Sequence, residues 1–194
     1  MFSPTNDIIS IFSPMKKGIL IAGLFIIGFK ANCQDIAKWK MTELESYMSE
    51  KTGDILVINF WATFCKPCVA EIPSFIKITD KYKNDQVKLL LVSLDLPSYY
   101  PAKIASFAKK HQYKTNIVWL NETDADYFCP KADTSWSGSI PATLMINTKT
   151  GYRKFVEGEM SASQFEEALK KVMANSNSSA LIKDFLFDPL AKLK

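Results

Sequence analysis

A chain of 194 residues, 47% apolar and 23% charged, holds enough material for one compact domain with short appendages and is too apolar for intrinsic disorder. Seven glycines and nine prolines exclude a fibrous repeat, and four cysteines are too few for a disulfide-stapled miniprotein of this size. A formal net charge of +4 without a dense Lys/Arg run offers no footprint for nucleic acid, and one histidine precludes a histidine-rich metal centre within a single chain.

The first segment reads as a targeting signal. Lys16 and Lys17 precede the apolar run Gly18–Phe29, which closes at Lys30. That run is well short of the roughly 20 apolar residues a membrane-spanning helix needs. A basic start, a short apolar stretch and the small residues of Ala31-Asn32-Cys33 predict a secretory signal peptide over residues 1–33, cleaved before Gln34. Met15, directly before the lysine pair, is an alternative start. Two other readings stand beside this one: a buried N-terminal helix, and lipidation of Cys33. Lys30 argues against lipidation, since it occupies a position where a lipobox carries an aliphatic residue. The expectation is an exported protein in an oxidising compartment, the periplasm or cell envelope.

Residues 34–175 then alternate elements within one domain. Thr42 with Glu45 has the spacing of a capping box and predicts a helix to about Lys51. Ile55–Phe60 is a nearly continuous apolar run, as in a strand buried on both faces. Pro67 opens a helical stretch to Tyr82, with Pro73 as a kink. Val87–Leu94 predicts a second buried strand, ended by Asp95 and Pro97. Ile104, Phe107 and Ala108 give Pro101–Lys110 helical periodicity, and Asn116–Leu120 predicts a third strand. Asn121–Ser139 reads as a polar, turn-rich connection. Thr143–Ile146 and Tyr152–Glu157 flank Asn147–Gly151 as a hairpin. Ser161 and Gln164 form a capping box for a last helix, with Phe165, Ala168, Leu169 and Val172 as its apolar stripe. Asn175–Ser179 reads as a linker, and residues 176–194 as a C-terminal extension. This order predicts an α/β fold, a central mixed sheet flanked by helices on both faces.

The chemistry-bearing segment follows the first central strand: Trp61-Ala62-Thr63-Phe64-Cys65-Lys66-Pro67-Cys68. Cysteines three apart at a helix start share one face, so their sulfurs can bond with little backbone distortion. The first cysteine meets the free N–H groups and the positive end of the helix dipole, which stabilise a thiolate. The second lies a turn deeper. That asymmetry suits a nucleophile and a resolving thiol. The same spacing is half of a structural zinc site, but no second pair follows, and His111 and Cys129 are isolated in sequence.

The segment Phe60–Cys68 resembles the active site of the thioredoxin superfamily. Glu71-Ile72-Pro73, Val92-Ser93-Leu94-Asp95 and Ile140-Pro141-Ala142-Thr143 are similar to the exported TlpA/ResA-like thiol–disulfide oxidoreductases. The resemblance covers about Thr42–Asn175 and implies a thioredoxin fold, with Pro141 as a cis-proline opposite the cysteines. It implies Cys65 as nucleophile, Cys68 as resolving thiol, a redox disulfide between them, and Glu71 as an active-site acid. It also implies a substrate groove built from Trp61, Lys66, Pro67, Ile140 and Pro141. The partners expected are disulfide-containing envelope proteins and a membrane electron donor. No cofactor, metal or nucleic acid is expected. Asn59 stands where thioredoxin has a buried acid, so base assistance to Cys68 falls to Glu71 instead. Phe64 replaces the commoner tryptophan.

Plainer roles compete for several of these residues. Glu71 suits a solvated helix face, Trp61 packing beside the site, Cys129 a buried core position, His111 a helix C-terminus, and Tyr99-Tyr100 loop packing. Three functions from different classes remain open: an exported reductase of protein disulfides, a disulfide-forming oxidase, and a metal-handling or scaffold protein. Lys66-Pro67 between the cysteines favours the reductase.

Overall fold

The structure, a computed structural model, describes residues 35–187, with side chains to residue 175. The expected signal peptide, the Cys33 boundary and residues 188–194 lie outside the described range. In chain order the elements are β1 (Ala37–Trp39), α1 (Met41–Ser49), β2 (Ile55–Trp61), α2 (Lys66–Lys81) and β3 (Val87–Ser93). They continue with α3 (Ala102–Lys110), β4 (Asn116–Leu120), α4 (Ala125–Ala132), β5 (Ala142–Asn147), β6 (Arg153–Glu157) and α5 (Ala162–Phe187). The six strands form one sheet in the order β1-β4-β3-β2-β5-β6. β1, β4, β3 and β2 run parallel, β5 is antiparallel to β2, and β6 is antiparallel to β5, giving a thioredoxin fold.

β2 is central and buried along its whole length, which explains its unbroken apolar sequence. Its side chains alternate between two cores. Ile55, Val57 and Trp61 face Ile72 and Phe75 of α2, Ile104 and Ala108 of α3, and Phe165 and Leu169 of α5. Leu56, Ile58 and Phe60 face Met41 and Leu44 of α1 with Phe128 and Ala132 of α4. Each such side chain contributes about 1.5–3 kcal/mol on burial, so both cores drive folding. Phe75 stacks on Phe165 at 3.9 Å between ring centroids and ties α2 to α5.

Several local expectations change. The cap of α1 lies two residues earlier than Thr42: Glu43 accepts from the Lys40 N–H at 2.8 Å, and Glu122 accepts from the Met41 N–H at 3.0 Å. Acidic side chains satisfy the free donors that a threonine was expected to take. β1 and α4 were not foreseen. Asp124 caps α4 by accepting from the Asp126 N–H at 3.0 Å, inside the stretch read as turns. The linker expected at Asn175–Ser179 is helical, because α5 continues to Phe187. The stretch holds neither glycine nor proline, and Asn and Ser oppose a helix by under about 1 kcal/mol each.

Candidate redox site

Cys65 and Cys68 are disulfide-bonded at the start of α2, with Cα atoms 5.3 Å apart. Cys65 is the N-cap, and its Sγ accepts from the Cys68 backbone N–H at 3.3 Å. A thiolate there would keep that donor and gain from the helix dipole. Cys65 is 8% exposed and Cys68 0%, so of the two cysteines only the first has any surface open to an incoming disulfide. Lys66 and Pro67 are exposed beside it.

The loop that carries Cys65 is fastened to the end of β3. Asp95, itself buried, accepts from the Thr63 N–H at 3.1 Å, the Thr63 hydroxyl at 2.6 Å and the Ser93 hydroxyl at 2.8 Å. The Trp119 indole N–H donates to the Asp95 carbonyl at 2.8 Å. Phe64 and Leu96, each one residue beyond that pair, are 61% and 58% exposed. Sequence reasoning noticed Phe64 only as a substitution and missed Leu96 and the role of Asp95; the Val92–Asp95 motif was the available signal.

Two residues expected in the groove are buried. Trp61 is 0% exposed, because it lies on the β2 face that packs against Phe107 at 5.9 Å and Tyr113 at 5.7 Å. Pro141 is also buried, ahead of β5, with its carbonyl accepting from the Gly158 N–H at 2.8 Å. The Ile140–Pro141 bond is cis. Ile140 is half-buried and packs against both cores.

Glu71 lies one turn along α2 from Cys68 and is buried, not solvated. Its Oε1 accepts from Asn59 Nδ2 at 3.0 Å and its Oε2 from the Met160 N–H at 2.9 Å. Burial pushes its carboxyl up to about 7, against the pull of these two donors. A group balanced there can exchange a proton near neutrality. Cys129 is a buried thiol on α4, pushed up to about 11 by burial and by Glu157 and Asp126. His111 ends α3 and stacks on Phe107 at 4.2 Å. Tyr100 stacks on Trp119 at 4.6 Å.

Comparison with known proteins agrees with this geometry. The AhpC/TSA family model matches residues 23–151. Sporulation thiol-disulfide oxidoreductase A of Bacillus subtilis (strain 168) is 27% identical over 130 residues, 66% of this chain and 74% of that protein. The thiol-disulfide oxidoreductase ResA of Geobacillus kaustophilus (strain HTA426) is 24% identical over 135 residues, 68% of this chain and 72% of its own. Among solved structures, a thioredoxin-related protein from Neisseria meningitidis serogroup B superposes with a TM-score of 0.55 at 24% identity. The superposition covers 63% of this chain and 87% of that one, and it speaks to the fold alone.

Proposed function

The chain belongs to the AhpC/TSA family and is a thiol–disulfide oxidoreductase, and from that premise we propose that it is exported and reduces protein disulfides in the cell envelope. In this reading the reduced enzyme attacks through the Cys65 thiolate. A bond forms between Cys65 and one substrate sulfur while the substrate disulfide breaks and its other sulfur leaves as a thiolate. Cys68 then gives up its proton and attacks Cys65. The Cys65–Cys68 disulfide closes and the second substrate thiol departs. Two electrons pass from enzyme to substrate, and a membrane electron donor restores the dithiol.

The observation that carries the roles is the unequal exposure of the two sulfurs at the α2 cap, one reachable and the other enclosed. Glu71, one turn from Cys68 and poised near neutrality, is the group suited to receive the Cys68 proton. The Lys16-Lys17 start and the short apolar run Gly18–Phe29 support export. Lys66-Pro67 between the cysteines supports reduction over oxidation.

The test is the reduction potential of the Cys65–Cys68 pair, measured by counting free thiols after equilibration in glutathione or dithiothreitol buffers. Thioredoxin lies near about −270 mV and the strong oxidant DsbA near about −120 mV. The expected value is nearer the first. A potential above about −160 mV would make the protein a disulfide-forming oxidase.

A further inference from the structure

Asn59 lies in the middle of β2, 0% exposed, on the face covered by α2 and α5. Its Nδ2 donates in two directions: to Glu71 Oε1 at 3.0 Å and to Thr143 Oγ1 at 3.0 Å. Thr143 is its direct cross-strand partner on β5, so sheet register fixes where the amide is held. Asn59 Oδ1 has no hydrogen-bond partner among the described residues. A buried amide oxygen left unpaired is uncommon in folded proteins and calls for a reason.

Glu71 supplies one. As a carboxylate it needs donors, and the Asn59 amide and the Met160 N–H provide them. As a carboxylic acid it needs an acceptor for its O–H, which an NH2 group cannot be. The unpaired Asn59 oxygen is such an acceptor, and a half-turn of the amide brings it round. Thr143 can follow, since a hydroxyl both accepts and donates. In either orientation the amide bonds Glu71 and Thr143 and leaves its other end unpaired.

We propose that Asn59 is a positioning residue for proton exchange at Glu71: its amide, pivoting against Thr143, turns nitrogen to the carboxylate and oxygen to the acid. This deepens the reading above, in which Glu71 takes the Cys68 proton, and rests on it. Proton balance is internal, because what Cys68 releases Glu71 holds. Aspartate at this position would add a second negative charge and discourage ionisation of Glu71, and lysine would hold Glu71 ionised. A neutral amide does neither. The other charged group bearing on Glu71 among the described residues is Glu159, ahead of α5, whose charge disfavours the carboxylate.

The experiment follows the Glu71 side-chain carboxyl by 13C NMR in the reduced full-length protein, alongside the pH dependence of thiol alkylation. Asn59→Ala removes both the donor to the carboxylate and the acceptor for the acid, of which the charge-assisted bond to the carboxylate is the stronger. It should raise the Glu71 midpoint by about one pH unit and move the alkylation profile the same way. In a Glu71→Gln background, Asn59→Ala should leave the alkylation profile where Glu71→Gln puts it. An unchanged Glu71 midpoint in Asn59→Ala, or a profile shift that survives in Glu71→Gln, overturns the proposal while leaving the role of Glu71 standing. A Glu71→Gln profile identical to wild type overturns that role instead, and with it the function assigned to the amide. If Asn59→Ala does not fold, Asn59→Leu keeps the side-chain volume, likewise removes both ends of the amide and is read by the same outcomes.

Discussion

Asp95 receives both the backbone N–H and the hydroxyl of Thr63, at 3.1 Å and 2.6 Å, and so joins the loop before the first redox cysteine to the end of β3. The two residues are far apart in sequence yet act as one fastening, because β2 and β3 pair along their full length, with Trp61 opposite Ser93. The N-terminus of α2, and with it the donors around Cys65, is held from below by this pair.

Removing the carboxylate should therefore loosen the site. Asp95→Ala leaves the Thr63 N–H and two hydroxyls without their acceptor and should cost about 1–3 kcal/mol in urea unfolding. Asp95→Asn keeps an acceptor oxygen and should retain most of that stability. Equal losses in the two variants would assign the effect to charge alone.

The two thiols should separate by trapping. Cys68→Ala should accumulate mixed disulfides through Cys65, seen as substrate adducts on non-reducing gels, because the resolving step is lost. Cys65→Ala should abolish turnover and trap nothing. Adducts mapping to Cys129 would refute the assignment.

Glu71 should make stability depend on pH with a definite sign. Burial raises its folded-state carboxyl from 4.5 to about 7, so the folded protein binds this proton more tightly than the unfolded chain. Its contribution is fully present below about 4.5 and is lost as pH rises through about 7. Wild type should lose up to about 3 kcal/mol relative to Glu71→Gln between pH 4.5 and 8, measured by denaturant unfolding at each pH. A difference that stays constant across that range would show that Glu71 titrates normally.

Phe64 and Leu96 should matter for large substrates only. Each is exposed beside the Thr63–Asp95 fastening, Phe64 directly before Cys65 in the chain. Replacing either with serine should lower kcat/KM for a disulfide-bonded protein about fivefold, the equivalent of about 1 kcal/mol of apolar contact. Exchange with a small disulfide such as oxidised glutathione should be unaffected.

Export has its own measurement. Intact mass of the protein recovered from the cell envelope should correspond to a chain beginning at Gln34. A lipid mass on Cys33 would indicate anchoring, and an uncleaved cytosolic protein would refute export.

Much of the fold was legible because its strongest signals are local. The apolar runs of β2, β3 and β4 sit where burial on both faces demands them. The Ser161–Gln164 capping box is formed as its spacing implied, with Ser161 N–H to Gln164 Oε1 at 2.9 Å and Gln164 N–H to Ser161 Oγ at 3.3 Å. β1 escaped because three residues cannot show a period, and it exists only by pairing with β4. α4 escaped because eight residues containing Pro130, flanked by Asp124 and Asp133, look like turns until Phe128 and Cys129 meet the core. At the site, Cys65 and Cys68 were visible by spacing. The role of Asp95 was signalled only by the Val92–Asp95 motif, and those of Thr143 and the Met160 N–H were not visible, since they arise from contacts across strands and helices that no local pattern encodes. The packing of Trp61 was one of two readings left open for a related reason: it is set by the aromatic residues of α3 and the loop after it.

A protein that trades disulfides must keep bystander sulfur out of the exchange, and Cys129 meets that need. With its thiol pushed up to about 11, about one molecule in ten thousand carries it as a thiolate at pH 7, and even that fraction is walled in by α4 and the sheet. The third cysteine of the domain is thereby electrically silent. Under the roles proposed above, a mixed disulfide at Cys65 would be released through Cys68, and the product of each encounter would be chosen by which sulfur can ionise rather than by which happens to be present.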